Sequence, residues 1–176
     1  MPDFEQAVDI RRLMAGFPTG VSIVTATDAD GVQRGMTCTS LCSVTLRPPT
    51  LLVCLRRDSP TRQAVCAVRG LTVNLLHDRA RSVAEMFGAA VPDRFERVPW
   101  TQSERGGGAH LIDAAHTIAD CAVAQAQDVG DHTVVMAEVV ALHHMREPVP
   151  LLYGMRRYGA WEDTAEDSLL RYDFIS

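Results

Sequence analysis

Two periods of apolar residues run along this chain. Phe4, Ala7, Val8, Ile10, Leu13 and Met14 recur at three- and four-residue steps, which predicts a short amphipathic helix over residues 4–14. Gly16-Phe17-Pro18-Thr19-Gly20 breaks it. Residues 21–27 are rich in β-branched side chains and predict a strand. Asp28-Ala29-Asp30-Gly31 is a turn, so the run from Val32 predicts the second arm of a hairpin. A hydroxyl-rich strand then extends from Met36 to a turn at Arg47-Pro48-Pro49, and residues 50–55 predict a buried strand. Ser59 has the character of an N-cap and Pro60 that of a first-turn residue, starting a helix through residue 68. Residues 71–76 predict a strand. Residues 79–87 predict a helix with Val83, Met86 and Phe87 on one side. Residues 92–108 are irregular, with a flexible loop at Gly106-Gly107-Gly108. Two long strands follow, over 116–127 and 132–144, joined by a tight turn at 128–131. Ala122, Ala124 and Ala126 share one face of the first, which suits close packing against another layer or subunit; the second is apolar on both faces. Residues 151–154 and 156–161 predict two short strands.

Strands outnumber helices, hairpins connect several of them, and strict βαβ alternation is absent. The fold class this predicts is mainly β with peripheral helices: an antiparallel barrel and not a doubly wound sheet. The domain is expected over residues 1–162, with an acidic C-terminal tail at 163–176.

Composition narrows the chemistry. The 47% apolar and 22% charged content is that of a soluble globular chain. A net charge of −5 with no basic stripe argues against nucleic acid. All 17 basic residues are Arg, so chemistry that needs a Lys amine (the P-loop, pyridoxal and Schiff-base enzymes) is excluded. No basic-then-apolar leader and no apolar run of about 18 residues is present, so a cytoplasmic, non-membrane protein is expected. The five cysteines are expected to be reduced. On one extended strand Cys38 and Cys42 would stand roughly 13 Å apart, too far for a disulfide. No CxxC occurs and no metal site is expected; His77, His110, His116, His143 and His144 read as surface residues.

Candidate binding chemistry falls in four places. The start of the helix after Ser59 offers unpaired N–H groups and a positive dipole end, with hydroxyls on Ser59 and Thr61 and charge from Arg56, Arg57 and Arg62; this suits a phosphate. Thr37, Cys38, Thr39 and Ser40 offer hydroxyl and backbone groups to a flat polar ligand, Thr37 and Thr39 on one face, Cys38 and Ser40 on the other. In Gly130-Asp131-His132-Thr133, a His follows a tight turn and can enter a cleft. Tyr153-Gly154-Met155-Arg156-Arg157-Tyr158-Gly159 supplies aromatic and guanidinium groups able to stack on or clamp a dinucleotide. Each also has a plain structural reading: a capped surface helix, a barrel strand, an exposed turn His, an aromatic barrel corner.

Together these segments resemble the flavin reductase-like family, whose fold is an FMN-binding split barrel and whose members are the small reductase components of two-component flavin monooxygenases. The resemblance spans roughly residues 4–161. It rests on Gly16-Phe17-Pro18-Thr19-Gly20-Val21, the segment 35–49, Ser59-Pro60-Thr61, Val73-Asn74-Leu75, Arg94-Phe95 with Val98-Pro99-Trp100, Gly130-Asp131-His132, and Tyr153 with Tyr158-Gly159. It implies an NAD(P)H:flavin oxidoreductase that reduces FMN or FAD and hands free reduced flavin to a separate monooxygenase, in antibiotic or aromatic-compound pathways. NADH is preferred by family tendency, with NADPH as the alternative, and a homodimer is implied, with flavin near the subunit interface. By the same resemblance Thr37, Cys38, Thr39 and Ser40 line the isoalloxazine and ribityl chain. Cys54, Leu55, Arg56, Ser59, Pro60 and Thr61 wrap the ribityl and phosphate. Phe87 and Arg94 close over the nucleotide, His132 sits beside the nicotinamide as the catalytic positioning residue, and Tyr153, Arg156 and Tyr158 hold the rest of the dinucleotide. Cys38 stands where many relatives carry Asn or Ala. The alternative is a non-catalytic flavin-binding or electron-carrier protein on the same barrel.

Overall fold

The computed structural model describes residues 9–161, apart from 90 and 106. The first part of the expected N-terminal helix and the segment 163–176 lie outside the described residues.

Helix α1 (Ile10–Ala15) is capped by Asp9, whose carboxylate accepts the Arg11 N–H at 3.1 Å. There follow β1 (Thr19–Gly20), β2 (Ser22–Thr27), β3 (Gln33–Cys38), β4 (Cys42–Leu46), β5 (Pro49–Arg56), α2 (Pro60–Val68), β6 (Gly70–Leu76), α3 (Arg81–Gly88) and a 3₁₀ turn (Arg94–Glu96). The remaining strands are β7 (Thr101–Gln102), β8 (Ala109–His110), β9 (Ala115–Val129), β10 (His132–His144), β11 (Leu151–Gly154) and β12 (Arg157–Ala160). No helix among the described residues is long and apolar enough to cross a membrane.

Seven strands form one antiparallel sheet in the order β3-β2-β6-β9-β10-β5-β4. Consecutive β3 and β4 therefore stand at opposite edges. In a flat sheet six strand spacings would separate them by about 29 Å. The chain between Cys38 and Cys42 can reach only about 14 Å. The sheet must roll up, and Ser40 closes the seam. Its Oγ accepts the Cys54 N–H at 3.1 Å and donates to the Cys54 carbonyl at 3.2 Å, a side chain standing in for a ladder pair between the two edges. The expected single strand from Met36 to the Pro-Pro turn is thus two strands. Residues 39–41 leave one edge and join the other, so Cys38 and Cys42 do not share a strand.

β2 is buried on both faces. Val24 joins Val53, Leu55, Val73 and Val135 inside the barrel, where Ala64 and Val65 of α2 also pack. Ile23, on the opposite face, joins Leu76, Ala84 and Phe87 beneath α3. Fully buried Asn74 fixes the segment after the glycines. Its amide donates to the Ile23 and Ala109 carbonyls at 3.2 and 3.1 Å, and its oxygen accepts the Leu111 N–H at 2.8 Å. The expected flexible glycine loop is docked here. Gly107 has φ +74, and its carbonyl accepts the Thr27 N–H. A Cβ on Gly108 would collide with the Thr25 backbone, so only glycine permits this approach.

Candidate flavin and nicotinamide site

Two cavities lie near the barrel seam. The first, about 540 Å³, is lined by Thr39 and Ser40 from the β3–β4 connection, by Tyr153, Met155 and Arg156 from the β11–β12 hairpin, and by Arg11, Met14 and Phe17. The hairpin turn is unusual. Met155 and Arg156 both have positive φ, +50 and +59, where such turns favour Gly or Asn. Left-handed non-glycine residues cost on the order of 1–3 kcal/mol each and persist only where surroundings hold them. Here the Met155 N–H donates to the Ala15 carbonyl at 2.7 Å. The Tyr153 and Tyr158 rings pack at 5.1 Å, tilted by 60°, with the Arg81 guanidinium 5.7 Å from the Tyr158 ring. Tyr158 itself lines a neighbouring cavity of about 340 Å³.

The second cavity, about 590 Å³, lies at the start of α2 among Arg56, Arg57, Asp58, Arg62, Asp128 and Asp131. Ser59 caps the helix: its Oγ accepts the Arg62 N–H at 3.0 Å, which leaves its own O–H to donate outward. Asp128 organises the basic side chains, pairing with Arg62 at 3.0 Å and Arg57 at 3.3 Å and accepting from Thr133 at 2.6 Å. The Thr133 hydrogen bond, outweighing desolvation and aided by the two guanidinium groups, holds the Asp128 carboxyl below its ordinary range. Arg56 pairs with Asp58 at 2.8 Å. His132 is half exposed and fixed through Nδ1 to Asp131 Oδ1 at 2.8 Å; that bond lowers the Asp131 pKa.

Strand β5 runs from the Ser40 seam beside the first cavity to Arg56 in the second. Val53 and Leu55 point into the core while Cys54 and Arg56 face out. Cys54 touches Ser40 at the first cavity. Arg56, roughly 7 Å further along, is paired with His132 at the second.

The structure brings Thr39, Ser40, Tyr153 and Arg156 together, and separately places Arg56, the Ser59-Pro60-Thr61 helix start and His132 side by side. Other sequence-predicted residues have different surroundings. The Thr37 hydroxyl donates to the Ala84 carbonyl of α3 at 2.6 Å. Cys38 is 5% exposed, its Sγ 3.2 Å from Ser40 Oγ, and burial pushes its thiol pKa up. Leu55 and Thr61 are buried, Leu55 in the barrel core. Phe87 lies in the core, edge-on to Phe95 at 5.1 Å and beneath Arg94 at 5.5 Å. Arg94 donates to the Gly35 and Val91 carbonyls at 2.9 and 3.2 Å and lines a separate cavity of about 390 Å³ beside the β2–β3 turn. Its buried Nε has no partner, and desolvation lowers its pKa, with Arg34 adding repulsion.

Sequence reasoning missed Phe17, Met155 and the organising role of Asp128. Phe17 belongs to the quoted helix-breaking motif, Met155 to the quoted segment 153–159 and Asp128 to the expected turn before β10, but nothing local gives them these roles. The surface reading of the histidines needs correction. His77 and His116 are 8% exposed, and His110 and His143 converge on buried Asp120 from strands far apart in sequence.

A rolled antiparallel sheet with a hydroxyl seam, a capped helix start and a Tyr–Arg hairpin defines a nucleotide-binding split barrel. Residues 14–162 match the flavin reductase like domain family, and the chain belongs to it. It is 51% identical over 155 residues to a flavin reductase (NADPH) of Lentzea aerocolonigenes, covering 88% of this chain and 90% of that one. It is 35% identical over 156 residues to the flavin-dependent monooxygenase reductase subunit HsaB of Rhodococcus jostii, covering 87% and 78%. Among solved structures it resembles the Streptomyces globisporus NADH:FAD oxidoreductase SgcE6 in complex with NAD and FAD fragments, with TM-score 0.82, 29% identity, and 91% and 99% of the two chains covered.

Proposed function

We propose that the two cavities hold flavin and a reduced nicotinamide dinucleotide together, and that the chain works as the reductase of a two-component monooxygenase. Family membership makes it an NAD(P)H-dependent flavin reductase, an oxidoreductase. One observation carries the placement of the site: a single cavity unites Thr39 and Ser40 with Tyr153 and Arg156, and β5 runs on from it to the capped start of α2.

The residues fit such a pair of ligands. Thr39 and the Ser40–Cys54 seam present polar edge groups to an isoalloxazine. Ser59 O–H and the Thr61 backbone N–H, at the positive end of α2, receive a phosphate. Asp128 holds Arg57 and Arg62 beside that end while partly neutralising them, which suits a ligand that must leave again. Tyr153 supplies an aromatic face and Arg156 and Arg11 supply charge for the dinucleotide. Flavin held there would supply the hydride acceptor for a reduced nicotinamide. His132, held by Asp131, orients the nicotinamide; hydride transfer itself needs no proton from it.

We further read the chain as a homodimer and a supplier of reduced flavin to a separate oxygenase. Val140 and Leu142 of β10 are 40% and 58% exposed, and Ala122 and Ala124 of neighbouring β9 are also exposed, giving an apolar face suited to a second copy. The test is steady-state oxidation of NADH or NADPH by purified protein with increasing FMN or FAD. Turnover that saturates with added flavin supports a dissociable substrate. Flavin bound tightly without turnover would replace this reading with the electron carrier.

A further inference from the structure

We propose that His110, Asp120 and His143 form a divalent transition-metal site of the zinc class, built by β8, β9 and β10 and separate from the flavin and nicotinamide cavities. The ligating atoms all lie within 4.8 Å of one another. His110 Nε2 is 2.8 Å from Asp120 Oδ1, and His143 Nε2 is 3.1 Å from Oδ2, so each imidazole addresses its own carboxylate oxygen. The two rings sit 4.7 Å apart, tilted by 51°. Two imidazole nitrogens and a carboxylate are the donor set that suits zinc and its neighbours, and three protein ligands leave a coordination position for water.

The carboxylate is built for this. The Asp120 side chain is 2% exposed, that of His110 12% and that of His143 41%. Thr72 Oγ1 donates to Oδ1 at 2.9 Å, and Ser103 adds a side-chain hydrogen bond, so hydroxyls orient the carboxylate as outer-shell groups orient metal ligands. Among the described residues no guanidinium pairs with Asp120; its ion-pair partners are the two histidines. A buried carboxylate without a permanent cation is poised to receive one. An ionised carboxylate only accepts, so each Nε2 carries the shared proton when no ion is present. A cation takes the positions of those two protons as the imidazoles shift tautomer. With metal–ligand distances of about 2.1 Å, the imidazole–carboxylate contacts of 2.8 and 3.1 Å must open slightly to admit the ion, and half-exposed His143 has room to move. The ion would clip β8, and with it the segment running back to β7, onto the long β9–β10 pair.

The test is titration of chelator-treated full-length protein with Co²⁺, read by visible absorption, and with Zn²⁺, read by metal content after gel filtration and by Tm. The site predicts about one equivalent per chain, an intense Co²⁺ band of four- or five-coordinate type, and a Tm that rises with Zn²⁺. His143→Ala, at a half-exposed position, should keep the fold by circular dichroism and lose affinity on the order of 100-fold. His144→Ala, one residue along, should bind like the parent. No saturable uptake, or uptake unchanged by His143→Ala, would overturn the site. His110→Gln repeats the test should His143→Ala lose its fold.

Discussion

Ser59 has two separable duties. Its Oγ caps α2 through the Arg62 N–H, and its O–H, next to the cavity residue Asp58, is the proposed phosphate donor. Ser59→Ala should cost about 1 kcal/mol of stability through the lost cap. It should also weaken FMN binding by about tenfold, while riboflavin, which lacks the phosphate, binds as before. Fluorescence titration with both ligands checks this; equal losses would remove the phosphate assignment. His132→Ala should lower kcat/KM for the reduced nicotinamide by about 10- to 100-fold and leave flavin affinity unchanged, a positioning loss below what removal of a proton-transfer group gives. Flavin reduction abolished in a folded variant would show His132 to be indispensable. The thiols carry a further prediction. Cys121 is buried and desolvation pushes its pKa up to about 12, while Cys42 is exposed. The thiolate is the reactive form. A disulfide reagent at mildly alkaline pH should therefore modify Cys42 quickly and reach Cys121 only after denaturation. Cys38, buried with a raised pKa, should behave like Cys121.

At the scale of elements, local signals were strongest where local physics decides. Ser59-Pro60 marked the start of α2, and the observed helix begins at Pro60 and ends at Val68. The 2-residue period and the Gly130 turn marked β9 and β10 to within two residues of their ends. What stayed hidden depends on residues far apart. Nothing in the run from Met36 to Leu46 says that the chain changes sheet edges at Thr39-Ser40-Leu41, because the cause is barrel closure against Cys54, some 14 positions away. The docking of Gly108 on Thr25, and the convergence of His110 and His143 on Asp120, are equally non-local. The seam is testable. Ser40→Ala leaves Cys54 without its side-chain partner and, at this exposed position, should cost about 0.5–1.5 kcal/mol. It should also reduce flavin affinity, because Ser40 lines the first cavity. Denaturant unfolding beside flavin titration measures both; an unchanged midpoint would show that the seam is held by other contacts.

For the whole molecule, the barrel sets two cavities at neighbouring points of one seam and leaves an apolar face on β9 and β10. Leu142→Asp places a charge on that face. It should convert a dimer into monomers in sedimentation and weaken flavin binding if the partner helps enclose the site; a parent that sediments as a monomer would contradict the dimer. The most direct measurement for the central claim is anaerobic stopped-flow mixing of the protein and flavin with NADH or NADPH, following loss of the oxidised flavin band. The account predicts rapid protein-dependent bleaching in single turnover, slowed in His132→Ala, and reduced flavin that passes through a filter retaining the protein. Flavin that binds yet stays oxidised with both nucleotides would contradict it.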